Sequence, residues 1–174
     1  LGEGTDVSIA FGEEMKKHTS PRTSSARNVL GEFIIKTGIQ VISDEVGTAK
    51  LGEPYNEWKS GNQEDAVLQV DSWYSWHSLT DYVDNIISIE NSYMGGRKGN
   101  RDSATSMSEL VKKVNPELDT EVKNQIAATI SAIEGIPAPF RNHLNAKTET
   151  EAAMEACSEL ILVFDRVKAA LDVN

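Results

Sequence analysis

The 174-residue sequence has one cysteine, Cys157, three histidines, and no apolar run longer than the five residues Leu160 to Phe164. A single cysteine rules out a disulfide within the chain. Set among Met154, Leu160, Ile161 and Phe164, it reads as a buried, unreactive thiol. No apolar run approaches the ~18 residues needed to cross a membrane as a helix. Cations are also few. Lys and Arg number 17 against 27 Asp and Glu, for a net charge of −10. That balance argues against a nucleic-acid partner, which needs a positive face, and against docking on anionic lipid. An acidic surface suits a cationic partner or metal ions, and it equally serves simple solubility. The chain opens at Leu1 on a polar Gly-Glu-Gly-Thr stretch. Such an opening suggests a processed or shortened product, so the missing targeting segment carries little weight.

The scarcity of histidine limits the chemistry. His18, His77 and His143 lie in different segments; none belongs to a His-x-x-x-His pair and none has a glutamate three residues away. The helical zinc-peptidase arrangement is therefore not encoded. There is no Gly-x-Ser-x-Gly elbow, and Cys157 has no evident activating histidine. Glu14 and His18, four apart, would share one helical face and so could share a metal. His18 falls where that helix should end, however, and a solvated helix end is the plainer reading.

What the sequence does have is helical periodicity. The spacing predicts a first helix over 6–17 and a loop from His18 to Ser25. A long second helix follows from about Ser25 to Leu51, with Leu30, Ile34, Val41 and Ile42 as its apolar stripe, stopped by Gly52 and Pro54. Its Gly31, Gly38 and Gly47 weaken it locally but would let a neighbouring helix come close. A third helix is predicted from Asn62 to Tyr93, with Leu79, Tyr82, Ile86, Ile89 and Tyr93 as a bundle seam. Met94 to Asn100 reads as a glycine-rich loop. Ser106 and Glu109 form a capping box for a short helix. Another helix runs from Asn115-Pro116 to about Gly135, and the last opens at Thr148, boxed by Glu151. The expected fold is all-α: an up-and-down four-helix bundle with short additional helices, one domain over 1–174.

The third helix carries the most informative pattern. Running its seam backwards places Ser75 and Ser72 where apolar side chains are expected, and beside the seam lies a polar file of Ser78, Asp81, Asn85 and Ser88. Buried polar groups need partners, so this file either lines a cleft or faces water. Trp73, Tyr74 and Trp76 read as core packing or, together, as a cap on the end of the bundle or a contact surface.

The run Asp71-Ser-Trp-Tyr-Ser-Trp-His-Ser-Leu-Thr-Asp-Tyr-Val-Asp-Asn-Ile-Ile-Ser-Ile-Glu-Asn-Ser-Tyr-Met-Gly95 resembles the imelysin-like family. The matching positions are Ser72, Ser75, Asp81, Asn85, Ile89, Asn91, Tyr93 and Gly95, with Met94 where the family has leucine. The glycine-containing helix Ile35 to Lys50, the Asn115-Pro-Glu-Leu-Asp turn and the Ile136-Pro-Ala-Pro-Phe140 stop are also similar. The likeness extends from about Ala10 to the C-terminus, in its Bacteroidetes form. It implies an envelope protein, often a lipoprotein of the periplasm or outer membrane, linked to iron uptake and built from two helical-bundle halves. This chain would be the C-terminal half, partnered by the N-terminal half and by iron-uptake components. The family's metal motif, Gly-x-His-x-x-Glu, belongs to the N-terminal half and has no counterpart here. The resemblance therefore implies ligand or metal binding without catalysis, with iron or another divalent metal in the full-length protein. The alternative is a metallopeptidase whose metal motif lies in an absent N-terminal half. No catalytic residue is assigned. The candidate cleft residues are Ser72, Ser75, Asp81 and Asn85, with Glu45 of the upstream helix.

Overall fold

The structure is a computed structural model that describes residues 10–18 and 20–173. Seven helices, and no strand, are found among them. Helix α1 is Phe11–Lys17; the part of the predicted first helix before Ala10 lies outside the described residues. Helix α2 is continuous over five stretches: Ala26–Asn28, Val29–Gln40, Val41–Asp44, Glu45–Gly52 and Glu53–Ser60. The others are α3 Gln63–Leu68, α4 Ser78–Met94, α5 Met107–Val114, α6 Pro116–Glu134 and α7 Lys147–Leu171.

Helices α2, α4, α6 and α7 form the expected up-and-down bundle, and their side-chain pairings fix the directions. Arg27 pairs with Asp172, and Tyr55 hydrogen-bonds Glu151, so α2 and α7 run antiparallel. Glu121 pairs with Arg166 while Thr129 donates to the Ala156 carbonyl, which sets α6 against α7 in the same way. Tyr82, Ile86, Ile89 and Tyr93 of α4 are fully buried, as their spacing predicts. Tyr93 meets Phe164 edge-on at 5.8 Å, and Tyr82 meets Phe140 at 6.2 Å. Each such side chain contributes about 1.5–3 kcal/mol by leaving water.

Helix α2 departs from expectation in two ways. It does not stop at Gly52-Pro54 but continues to Ser60. In Val29–Gln40 and Glu45–Gly52 the turns are widened to π type, each N–H reaching five residues back. The cause is visible in the residues that face the core: Gly31, Ile35, Ile39, Ser43, Gly47, Leu51 and Tyr55 are all buried, each four after the last. An α-helix turns ~100° per residue, so such a stripe would drift about 40° at every step. Alternating wide and ordinary turns keep it pointed at α7. The 3.6-residue reading chose another face: Ile34 and Val41, placed in the core by that reading, are 37% and 51% exposed.

The stripe locks onto α7 through small and polar residues. The Ser43 hydroxyl donates to the Cys157 carbonyl (2.9 Å), and the Gln40 amide donates to the Ile161 carbonyl and the Asp165 carboxylate. Gly47 lies where a Cβ would sit 2.9 Å from that of Cys157, the close approach its glycine allows. Cys157 is buried, and that burial pushes its thiol up to about 12. The native protein should therefore resist a thiol-directed reagent at pH 8 and react fully only once unfolded; stoichiometric labelling of the folded chain would show an accessible thiolate.

The predicted third helix is broken. Between α3 and α4, residues 69–77 form a turn. Serines at 72, 75 and 78 compete for backbone hydrogen bonds, and the chain turns back through left-handed Ser72 (φ 55°) and Trp76 (φ 63°). The Ser78 hydroxyl donates to the Asp71 carbonyl and ties the turn to the start of α4. Elsewhere the Ser106 hydroxyl accepts from the Glu109 N–H, which forms half of the predicted box. The box at Thr148 does not form: α7 begins at Lys147 without a side-chain cap, and Glu151 serves Tyr55 instead.

Candidate functional site

The broken segment places the candidate residues in two groups. Asp81 and Asn85 lie one turn apart on the same face of α4, both half-buried, with Ser78 buried before them and Ser88 exposed after them. The polar file thus begins in the protein and ends in water. Ser72 and Ser75 are not on the seam of any helix. They lie on the 69–77 turn, Ser72 half-buried and Ser75 exposed, and the Ser75 hydroxyl donates to the Ser72 carbonyl at 3.0 Å. Glu45 is exposed on α2.

Glu45 is tied to the turn through a residue that spacing alone did not single out. The Lys50 ammonium lies 3.3 Å from the Glu45 carboxylate and 3.4 Å from that of Asp71, with its side chain 18% exposed. A 45–50 pair would lie on opposite sides of an α-helix, and only the wide turn brings it together. Lys50 also sits 6.0 Å over the Tyr82 ring. Burial, then the nearby Asp71 carboxylate, raises the Tyr82 phenol, which stays protonated and neutral. From the far side, Arg141 donates to the Trp73 carbonyl at 3.0 Å and stacks on its indole at 5.0 Å. Trp73 is thus half-packed, whereas Tyr74 and Trp76 are 76% and 63% exposed beside Leu68 at 61%. Of the readings of this aromatic cluster, core packing fails for Tyr74 and Trp76. His77 is exposed at the head of α4.

Glu14 and His18 are each engaged within the protein: Glu14 accepts from Ser20 and Thr23, and His18 Nδ1 lies 2.9 Å from the Thr23 carbonyl. Among the described residues no three His, Cys, Asp or Glu side chains converge as metal ligands. An open cleft of about 800 Å³ between α4 and α6 was not anticipated. Asp84, Ser88, Glu90, Arg97 and Lys98 ring its apolar floor of Ile87 and Ile130. Only Ser88 and the glycine-rich loop hinted at it, and it takes in none of the five candidate residues.

Known proteins place this architecture. The family model Imelysin matches residues 5–166. No curated protein matches. The crystal structure of an imelysin peptidase from Bacteroides ovatus is similar at 42% identity and a TM-score of 0.86, covering 94% of this chain and 46% of that one. A protein described as an iron-regulated protein A precursor, from Parabacteroides distasonis, is 36% identical with a TM-score of 0.87, covering 98% of this chain and 49% of its own. The chain thus spans about half the length of these solved relatives. With the family model matched along nearly the whole bundle and two solved relatives superimposing on it, the chain belongs to the imelysin family.

Proposed function

We propose that this chain is a non-catalytic, ligand- or metal-binding bundle of a cell-envelope protein linked to iron uptake. Asp81, Asn85, Ser72, Ser75 and Glu45 face a cleft shared with the other half of the full-length protein. The observation that carries this reading is the polar file that surfaces at Asp81 and Asn85 beside a turn of exposed aromatics. Half-buried polar side chains on α4, with Leu68, Tyr74 and Trp76 exposed on the segment before it, suit a partner surface with a wet centre. The relative described as iron-regulated supports the link to iron, and the relatives' extra length, about half of each chain, is room for the second half that this reading requires. Asp81 and Asn85 offer two hard oxygen donors, which fit part of the coordination of a cation whose remaining ligands come from elsewhere. Placement in the periplasm, or on the outer membrane as a lipoprotein, follows from the same family reading.

The test is calorimetric titration of the full-length protein with iron(II). Asp81→Ala should weaken retention about tenfold, the equivalent of one charge-assisted contact, with thermal stability unchanged. Ser75→Leu should act in the same direction. Retention equal to wild type in both variants would remove the cleft assignment. The relative described as an imelysin peptidase favours a second reading, a metallopeptidase whose metal motif lies in the other half. Chelator-sensitive peptide cleavage by the full-length protein, but not by this bundle alone, would support it.

A further inference from the structure

We propose that the 69–77 turn is a lid over a covered polar site whose inner wall carries the Tyr82 hydroxyl, and that Lys50 and Arg141 are the straps that hold it closed. The Tyr82 ring is wholly buried. Its hydroxyl approaches the backbone of Asp71 and the side chain of Ser78 without making a hydrogen bond of ordinary length and angle to either. Ser78 has committed its own proton to the Asp71 carbonyl. A buried hydroxyl in this condition raises the free energy of the closed state and lowers it in any state where water or a ligand can reach the oxygen.

The cover itself is under tension. Ser72 and Trp76 occupy the left-handed region, which non-glycine residues hold only where their surroundings impose it. Two side chains from distant segments do so: Lys50 grips Asp71, and Arg141 grips the Trp73 carbonyl while stacking on its ring. The outer face, Tyr74 to His77, is exposed. The lid therefore has strain within it, an unmet polar group beneath it and a strap at either side.

The inference rests on the proposed cleft only for what it gates. Ser72 and Ser75 ride on the lid, Asp81 and Asn85 stay on α4, and Glu45 shares Lys50 with Asp71. Opening would separate the first pair from the second and release Lys50 towards Glu45.

Amide hydrogen exchange on the protein without added ligand tests the lid directly. In Lys50→Met the amides of 69–77 should exchange about tenfold faster than in wild type while those of α6 and α7 keep their rates. Arg141→Gln should act in the same way through the other strap. Tyr82→Phe removes the unmet hydroxyl, so it should slow exchange of the same amides and leave the thermal midpoint equal or higher. Wild-type exchange of 69–77 in both strap variants would overturn the lid. A midpoint several degrees lower in Tyr82→Phe would show that the hydroxyl has a partner and that no covered site exists. No iron enters this experiment, so a lid that opens as described beside unchanged iron retention in Asp81→Ala would leave the lid standing and remove only the ligand reading.

Discussion

Replacing Asp119 by alanine should lower the midpoint of thermal unfolding by roughly 10 °C. Asp119 lies near the start of α6 and is 3% exposed. It accepts from the Tyr93 hydroxyl (2.9 Å), the Ser108 hydroxyl (2.7 Å) and the Lys123 ammonium (2.6 Å). Alanine would leave two buried hydroxyls without an acceptor and one cation without its partner, a loss of about 3–5 kcal/mol for an interior charge network broken from one side. At ~2–4 °C per kcal/mol for a domain of this size, that converts to the stated shift. Asp119→Asn keeps one acceptor and should cost less; an alanine variant within 2 °C of wild type would show that the network contributes little. The same carboxylate gives the bundle an acid limb. Burial pushes its pKa up, but the bonds from Lys123, Ser108 and Tyr93 outweigh burial and hold it below the ordinary carboxylate value. A carboxyl lowered by folding stabilises the native state above its unfolded pKa, near 4, and that contribution fades as pH falls towards the folded value. Wild type should therefore lose stability on acidification below about pH 4 more steeply than Asp119→Asn does.

Gly47→Leu should be at least as damaging, to the point that little folded protein is recovered. Even a Cβ at this position would meet the Cys157 Cβ at 2.9 Å, closer than carbon atoms pack, with the Met154 carbonyl 3.6 Å away. A leucine would have to push α2 off α7 along the stripe that joins them. Overpacking of this kind costs about 1–3 kcal/mol for small additions and more for a branched side chain. Gly47→Ala is the graded case, where the ~1 kcal/mol gained in helix propensity offsets part of the clash. Adding Cys157→Gly to Gly47→Ala should recover some of the lost midpoint, because it removes the opposing carbon. A midpoint about 2–4 °C higher in Gly47→Ala than in wild type, the full propensity gain with no clash against it, would mean that the two helices are not in contact at this point.

These two sites also mark what was legible in the sequence. The helical class, the four long helices and the α4 core from Tyr82 to Tyr93 follow from 3.6-residue periodicity, which reports burial directly. The suggestion that glycines in the second helix admit a neighbour holds at Gly47. The course of α2 escaped the same method, since a helix with widened turns buries every fourth residue, and a template of fixed pitch selects the wrong face. The 69–77 break escaped it because the seam extended backwards through Ser75 and Ser72 keeps helical spacing whether or not the chain is helical there; the serines and the backbone of Asp71 decide that through local hydrogen bonds. At the candidate site, Asp81 and Asn85 were readable as a surface file. Lys50, Asp71, Tyr82 and Arg141 were not, because they come from four separate segments and meet only once the bundle closes.

The four-residue stripe of α2 bears on how the chain tolerates changes in length. In an ordinary helix, losing one residue swings everything beyond it by about 100°. In α2, a residue dropped from an exposed position such as Thr48 would narrow one wide turn to an ordinary one, and Leu51 and Tyr55 would still meet α7. Relatives should therefore differ by single-residue insertions and deletions along this helix more freely than along α4 or α6, with the partners of the stripe preserved.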